Sequence, residues 1–381
     1  MRAKPGDLIM TAAEPCKIMK TRKPARNAAA QVFLCALLLV ATVLPQAARS
    51  QGQITCGSEG QDCAVVLKQH VVKTRAYWEP AFAKPLEQRV GPASAEMIDF
   101  ITQDNIMNSI GNRPRVPALT PEFLRDVQQA FAELPAAVRR RLENKLAGIH
   151  FAEDFGGTGF TDVIGDTDSK SDAGFIVLDS AILSGHTANA WATWKENTPF
   201  KSQTGFELVA EIEGRSDDNR KNAIQYILLH ELGHVLSIGE KIHPPWTIET
   251  KDVQATDDLP YFSLSWAPPK GSDSYATLFD GSFSRRKDVR YYFGAKLSGE
   301  QMADIYDKLE ATNFPTLYAA THPGDDWAEA FVTYVHTMLM NKPFAIRIYR
   351  DGRLVKDYKS CWTETRCAEK RKILERFLEG R

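Results

Sequence analysis

The chain has 381 residues, of which 43% are hydrophobic and 25% are charged, and its formal net charge is −1. These values are typical of a globular protein and exclude disordered, fibrous and collagen-like chains. The near balance of charge gives no indication of binding to nucleic acid or to an anionic membrane.

Residues 1–50 have the pattern of a secretory signal peptide. A basic run precedes an apolar stretch from Val32 to Leu44, and small side chains follow at Ala48 and Ser50. The apolar stretch is shorter than the about 20 residues of a membrane span. We therefore expect cleavage after Ser50, a secreted or periplasmic product, and no stable membrane association after cleavage. An uncleaved N-terminal anchor is the alternative.

Four cysteines follow this segment, as two closely spaced pairs near opposite ends of the remaining chain. In an oxidising compartment the spacing predicts local disulfides between Cys56 and Cys63 and between Cys361 and Cys367. Other pairings and free thiols are the alternatives. The disulfide between Cys56 and Cys63 would make residues 51–73 a short disulfide-tied segment that leads into the rest of the domain.

Residues 74–165 are expected to form a helical N-terminal portion. Apolar side chains recur there at helical spacing, for example Phe123, Val127 and Phe131. Pro135 is expected to interrupt this helical pattern.

From Ala173 onward the pattern changes to short apolar runs bounded by Gly and Asp. The runs Gly174–Asp179 and Phe206–Ile212 indicate strands. A helix is expected from about Arg220 to Ile238, because Gly239 is a good residue to end it. Strands and helices together predict an α+β fold, with residues 166–381 as the catalytic portion of one domain.

The motif that indicates chemistry is His-Glu-Leu-Gly-His at residues 230–234, within this helix. Residues four apart on a helix share a face, so the His230 and His234 imidazoles can bind one metal ion. Zinc suits such ligands, and Glu231 is placed to act as the general base on a metal-bound water. The structural alternative is a set of hydrogen-bonded core residues, since unpartnered polar groups in an apolar helix are costly.

A catalytic zinc site needs a third protein ligand, and a second predicted helix after Pro323 offers acidic residues. Asp325 and Glu329 are four residues apart and share a face. One could bind the metal while the other orients a histidine ligand. The helix dipole alone also favours acids in a first turn. Three further side chains are alternative ligands: Asp326, Glu240 and His243.

The sequence from Tyr318 to Phe331, together with the first motif, resembles the anthrax lethal factor-like metallopeptidases. That family carries His-Glu-x-Gly-His, a glutamate ligand, a second acid four residues later and a tyrosine seven residues before the ligand. The resemblance implies a zincin-type, gluzincin-like fold with one zinc ion per chain. It implies Asp325 as the third ligand, Glu329 as the acid behind a histidine, and Tyr318 as the group that stabilises the oxyanion.

This chain has Asp325 where the family has glutamate, and its side chain is one methylene shorter. Either the second helix approaches the metal more closely, or another acid such as Glu329 is the ligand. The resemblance is confined to the two motifs.

The resemblance implies a zinc-dependent endopeptidase that acts on protein or peptide substrates, and the signal-peptide pattern implies that it is secreted or periplasmic. Glu231 would take a proton from water and return it to the leaving amine, while Tyr318 donates to the oxyanion. The substrate would pair with an edge strand, either Gly174–Asp179 or Phe206–Ile212. The alternative is a catalytically inactive zincin-fold binding or scaffold protein, against which the intact Glu231 argues.

Two further histidines lie near the second motif. His322 and His336 are expected to be surface residues, with binding of the transition state as the alternative. Trp327, Phe331 and Val335 are expected in the core.

Overall fold

A computed structural model describes residues 62–165, 172–246, 248, 250–254, 258–268, 274–292 and 294–380. The expected signal peptide and Cys56 lie outside these residues. Helices and small sheets both contribute to the described chain, which confirms the predicted α+β class. None of its helices is long and apolar enough to cross a bilayer.

The α helices, in chain order, are α1 (Cys63–Lys68), α2 (Arg75–Phe82), α3 (Ala95–Met107), α4 (Pro121–Ala132), α5 (Ala136–Leu142), α6 (Ser180–Ser184), α7 (Ala188–Asn197), α8 (Arg220–Ser237), α9 (Met302–Glu310), α10 (Pro323–Tyr334) and α11 (Ala368–Glu379). The break between α4 and α5 coincides with Pro135, as expected. The described parts of the segment between α8 and α9 contain short 3-10 turns and two short strands, in agreement with the irregular sequence there.

The strands are β1 (Val90–Pro92), β2 (Leu146–Ala152), β3 (Gly159–Ile164), β4 (Ala173–Asp179), β5 (Phe206–Glu211), β6 (Trp266–Ala267), β7 (Ala276–Thr277), β8 (Ala345–Arg350) and β9 (Arg353–Lys359). One sheet has the order β1-β2-β4-β3, in which β1, β2 and β4 are parallel and β3 is antiparallel. A second, antiparallel sheet has the order β5-β8-β9, and β6 pairs with β7.

This topology corrects two expectations from the sequence. Residues 74–165 are not purely helical, because they also contribute β1, β2 and β3. Strand β2 is buried along almost its whole length, so it lacks the polar alternation by which half-buried strands are recognised. Gly174–Asp179 is not an edge, because β4 lies between β2 and β3. The edge strand on that side is β3.

Strand β4 separates two hydrophobic cores. Phe175 and Val177 pack with the helices α1, α2 and α3 on one face of the sheet. Ile176 and Leu178 point to the other face and belong to the larger core, which contains α4, α8 and α10. Successive side chains of a strand face opposite ways, so this single strand contributes to both cores.

Helix α8 is buried throughout, from Asn222 to Ser237. The Asn219 side chain accepts a hydrogen bond from the backbone N–H of Asn222 and begins the helix. Gly239, just after the helix, has a φ of 74°, a conformation that glycine adopts without strain. The predicted bounds of this helix are therefore correct to one residue.

Helix α10 begins at Pro323, after His322, whose Nδ1 accepts a hydrogen bond from the Gly324 N–H. All of its residues are buried, and it continues as one π-helical turn, Val335–Leu339. Three side chains expected in the core are fully buried: Trp327, Phe331 and Val335.

The predicted bridge between Cys361 and Cys367 is present and lies just before α11. Cys63 is also disulfide-bonded. The partner expected for it, Cys56, lies outside the described residues.

Candidate metal centre

Helices α8 and α10 pack closely at Gly233. The indole N–H of Trp327 donates a hydrogen bond to the Gly233 backbone oxygen at 2.9 Å. A Cβ atom on Gly233 would lie 3.0 Å from the Cα of Ala328 and 3.2 Å from the Cβ of Phe331. Such distances are too short for a comfortable contact, so the absence of a side chain lets the helices approach. This approach brings the short Asp325 side chain to the histidines of α8.

Three ligand-type atoms converge where the two helices meet. The Nε2 atoms of His230 and His234 are 3.2 Å apart. The Asp325 Oδ1 lies 3.6 Å from the His234 Nε2 and 4.0 Å from the His230 Nε2. Around a tetrahedral zinc ion with bonds of about 2.0–2.1 Å, neighbouring ligand atoms are about 3.3 Å apart. The three side chains are thus spaced to hold one metal ion.

The burial and the hydrogen bonding of these three side chains also suit the binding of a cation. His230, His234 and Asp325 are 6%, 0% and 5% exposed. The Asp325 Oδ1 is buried and has no hydrogen-bond partner in the described part of the chain. Burial alone would raise the pKa of Asp325, but the adjacent histidines outweigh it and lower the pKa. A buried, unpartnered carboxylate oxygen facing two imidazoles is an arrangement that a metal ion would stabilise.

Glu329 lies behind this group and not within it. Its Oε1 is 2.9 Å from the Nδ1 of His230, the ring nitrogen on the side away from Asp325. The same oxygen accepts from Lys195 at 2.8 Å, and Oε2 accepts from Thr316 at 2.7 Å. Burial would raise the pKa of Glu329, but Lys195 and His230 hold it well below its usual range. Glu329 is therefore a carboxylate anion held beside the His230 ring, although the His230 Nδ1 has no well-directed hydrogen bond within the described residues.

Glu231 follows His230 on α8 and is 3% exposed. Its Oε2 accepts a hydrogen bond of 2.8 Å from the hydroxyl of Thr161 on the edge strand β3. Burial raises its pKa, although His230 and His234 act in the opposite direction. A carboxylate with a raised pKa is suited to take up and release a proton near neutral pH.

Tyr318 packs directly against His230, one of the candidate ligands. Its ring stacks on that of His230, with centroids 5.7 Å apart, and the ammonium of Lys195 lies 4.7 Å from its ring centroid. Burial and the nearby carboxylates, Asp325 first among them, raise its pKa well above the usual value, so the hydroxyl keeps its proton.

Two of the alternative ligands have other partners. Glu240 forms an ion pair with Lys145 at 2.8 Å. The two ring nitrogens of His243 are 2.9 Å from the Ser237 hydroxyl and 2.8 Å from the Pro244 backbone oxygen. Neither side chain belongs to the three-residue group.

Asp326, the third alternative, points away from the histidines. Both of its carboxylate oxygens accept hydrogen bonds from Lys370 of α11, at 2.6 and 2.7 Å. Trp266 donates to the same carboxylate at 2.9 Å. The adjacent acids of α10 thus have different roles: Asp325 faces the histidines and Asp326 fixes the helix to α11.

The expectation that His336 is a surface residue is wrong. It is 1% exposed, and its Nε2 is 2.7 Å from the backbone oxygen of Ile212. Its ring also contacts Tyr226 of α8 edge to face. The backbone oxygen satisfies one of the two ring nitrogens, whereas the Nδ1 has no hydrogen-bond partner among the described residues. His322 is partly buried and caps α10.

The sequence interpretation missed the residues that position the candidate ligands. Lys195 is buried on α7, four residues after the buried Trp191, so a lysine on an apolar helical face was an available signal. Thr161 and Thr316 gave no such signal, because a hydroxyl in an apolar run is common. Their contacts depend on parts of the chain that are distant in sequence.

Comparison with protein-family models, with curated proteins and with solved structures finds no significant match to this chain. The geometry of His230, His234 and Asp325, with the side chains around them, is therefore the observation that indicates a function.

Proposed function

We propose that this chain is a secreted or periplasmic zinc-dependent endopeptidase of the zincin type that hydrolyses peptide bonds. One observation carries the proposal: the two His Nε2 atoms and the Asp325 Oδ1 converge within 4.0 Å of one another. Glu231, a buried acid, follows the first of these histidines. The resemblance to the anthrax lethal factor-like metallopeptidases, carried by the motif at residues 230–234 and the segment from Tyr318 to Phe331, also supports the proposal.

Two imidazoles and one carboxylate are a ligand set that zinc binds in catalytic sites, where the fourth position is left to water. When bound, zinc would polarise a peptide carbonyl and lower the pKa of a bound water to about 7. His230, His234 and Asp325 would hold the ion. Glu329, fixed by Lys195, would keep His230 in the orientation that directs its Nε2 to the metal.

Glu231 would be the general base of this reaction. Its raised pKa suits a group that takes a proton from water and then gives it to the leaving amine. The hydrogen bond from Thr161 fixes one carboxylate oxygen, so the other oxygen is available for the proton. Tyr318, which stays protonated beside His230, would donate to the developing oxyanion.

Strand β3 supports a peptide as the class of substrate. It is the edge of its sheet, and through Thr161 it contacts the catalytic candidate Glu231. An extended peptide could add to this edge by main-chain hydrogen bonds and lie beside the metal centre. Strand β5 is also an edge, but β3 has the direct contact with Glu231.

A catalytically inactive scaffold with a structural metal site is the second candidate. The observation that favours it is the burial of all three ligand side chains, none of which is more than 8% exposed. A structural site is closed, whereas a catalytic site keeps a position open to water.

The experiment that separates the two candidates uses protein beginning at Gln51, loaded with zinc, and a broad library of quenched peptides. We expect cleavage that a zinc chelator abolishes. Glu231→Gln should retain zinc and the fold but lose turnover by several orders of magnitude, because only the base is removed. Zinc-loaded, folded protein that cleaves no peptide would favour the scaffold.

A further inference from the structure

Two adjacent tyrosines near the candidate centre differ in their hydrogen bonding. The Tyr291 hydroxyl donates to the Glu196 carboxylate at 2.8 Å. The Tyr292 hydroxyl is buried and has no hydrogen-bond partner in the described chain. Tyr292 as a whole is 8% exposed. An unpaired hydroxyl at such a position lowers stability, and a phenylalanine would avoid that loss.

The backbone at Tyr292 is also unfavourable. Its φ is 66°, in the left-handed region that bulky L residues rarely adopt. Such conformations persist where the surrounding structure enforces them, and they are concentrated at functional sites. The chain therefore holds this residue in a strained conformation while its hydroxyl is left without a partner.

The ring of Tyr292 lies on the side of the metal centre that Tyr318 occupies. Its centroid is 6.3 Å from that of Tyr318, edge to face, and Tyr318 in turn stacks on His230. Trp194 supports the Tyr292 ring at 5.7 Å. Burial, followed by the surrounding carboxylates, raises the pKa of Tyr292 well above the usual value. The hydroxyl is thus a donor at neutral pH.

We propose that Tyr292 binds substrate at the metal centre: its hydroxyl donates a hydrogen bond to the oxygen of the scissile carbonyl as that oxygen becomes an oxyanion. It acts as a second phenol beside Tyr318. The inference rests on the proposed function, because it needs a metal-bound substrate at His230, His234 and Asp325. It assigns a partner to a hydroxyl that is otherwise unsatisfied.

The test compares Tyr292→Phe with Tyr291→Phe as the matched control. Cobalt is loaded in place of zinc, because its visible spectrum reports binding to the two histidines and Asp325. Methylphosphonate is then titrated as a tetrahedral oxyanion that is small enough to need no specificity pocket. We expect Tyr292→Phe to bind cobalt normally but methylphosphonate at least about 10-fold more weakly. Tyr291→Phe should bind both like the parent.

Thermal unfolding of the metal-free proteins gives a readout that is independent of the centre. Tyr292→Phe should unfold at the same or a higher temperature than the parent, since it removes an unpaired hydroxyl. Tyr291→Phe should unfold at a lower temperature, since Glu196 loses a donor.

Three results would overturn the inference. The first is equal affinity of Tyr292→Phe and the parent for methylphosphonate. The second is a lowered unfolding temperature of metal-free Tyr292→Phe, which would mean that the hydroxyl has a structural role. The third is a cobalt-loaded parent that does not respond to methylphosphonate. A parent that takes up no cobalt would instead remove the proposed function itself, and the inference with it.

Discussion

The indole N–H of Trp327 donates to the backbone oxygen of Gly233, and this bond joins the two helices at the position between the candidate ligands. Gly233 is the fourth residue of His-Glu-Leu-Gly-His, and Trp327 comes two residues after Asp325. The bond and the missing Cβ together set how far the Asp325 carboxylate is from the histidines. The close approach of the two helices places the short Asp325 side chain within 4.0 Å of both histidine Nε2 atoms.

Gly233→Ala should weaken metal binding by about 10-fold or more, because the new Cβ would push Ala328 and its helix away by a few tenths of an ångström. The overpacking should also cost about 1–3 kcal/mol of unfolding free energy, partly offset by the better helix propensity of alanine. Zinc affinity by chelator competition and urea unfolding measure the two effects. Gly111→Ala is the control, since its Cβ would meet nothing within 4 Å. Unchanged zinc affinity in Gly233→Ala would contradict the role given to the helix spacing.

The different roles of Asp325 and Glu329 predict different losses of zinc affinity when each residue is replaced by alanine. Asp325→Ala should lose zinc far more severely than Glu329→Ala, for which a loss of about 10- to 100-fold is expected because only the partner of His230 is removed. Zinc titrations of the two variants measure these losses. A larger loss in Glu329→Ala than in Asp325→Ala would show that Glu329 is the ligand.

Asp325→Glu should bind zinc more weakly than the parent, because the close packing at Gly233 leaves little space for another methylene. The double variant Gly233→Ala, Asp325→Glu should recover part of this loss, since wider helix spacing suits the longer side chain. A double-mutant cycle on zinc affinity measures this coupling. If the losses of zinc affinity in the two single variants simply add in the double variant, the helix spacing and the length of the side chain at position 325 act independently.

Zinc affinity should depend on pH through His230. Burial lowers the pKa of His230, but Glu329 outweighs it and raises the pKa above the usual value for a histidine. Protons compete with the metal for the histidine nitrogen. Zinc affinity should therefore reach its full value above the raised pKa of His230 and should fall as the pH decreases through that pKa. Glu329→Gln should move this fall to lower pH. Chelator competition between about pH 5.5 and 8.5 tests the shift, and a fall at the same pH in both proteins would contradict it.

Tyr318→Phe should lower turnover by about 100-fold and leave the zinc content unchanged, if its hydroxyl donates only to the oxyanion. Elemental analysis and peptide cleavage rates are measured on the same preparation. A loss of zinc in this variant would mean that the hydroxyl supports the ligands instead.

The parts of the structure that sequence could predict are those with local signals. Helix α8 has a capping asparagine, a continuous apolar run and a following glycine, and Pro323 marks the start of α10. The spacing within each motif placed its side chains on one helical face. That the two motifs lie close together could be predicted by assuming that they bind one metal ion.

The remaining features depend on contacts between distant residues. The interior position of β4 is set by pairing with β2 and β3, and nothing within Gly174–Asp179 distinguishes it from an edge. Strand β9 is largely exposed, so its residues show no buried apolar face that would predict a strand. The hydrogen bond from Lys195 to Glu329 joins residues 134 positions apart. Local patterns contain no information on such pairs.

Because β4 contributes alternate side chains to the cores on both faces of its sheet, the two cores cannot unfold independently. Removal of residues 62–165 would leave Phe175 and Val177 uncovered and would delete β2, the parallel partner of β4. A fragment limited to residues 166–381 would therefore expose an apolar sheet face and a bare strand edge, both of which promote aggregation. Loss of packing at Trp78, which stacks on Phe175 of β4, would therefore disturb the strand that also packs against α8.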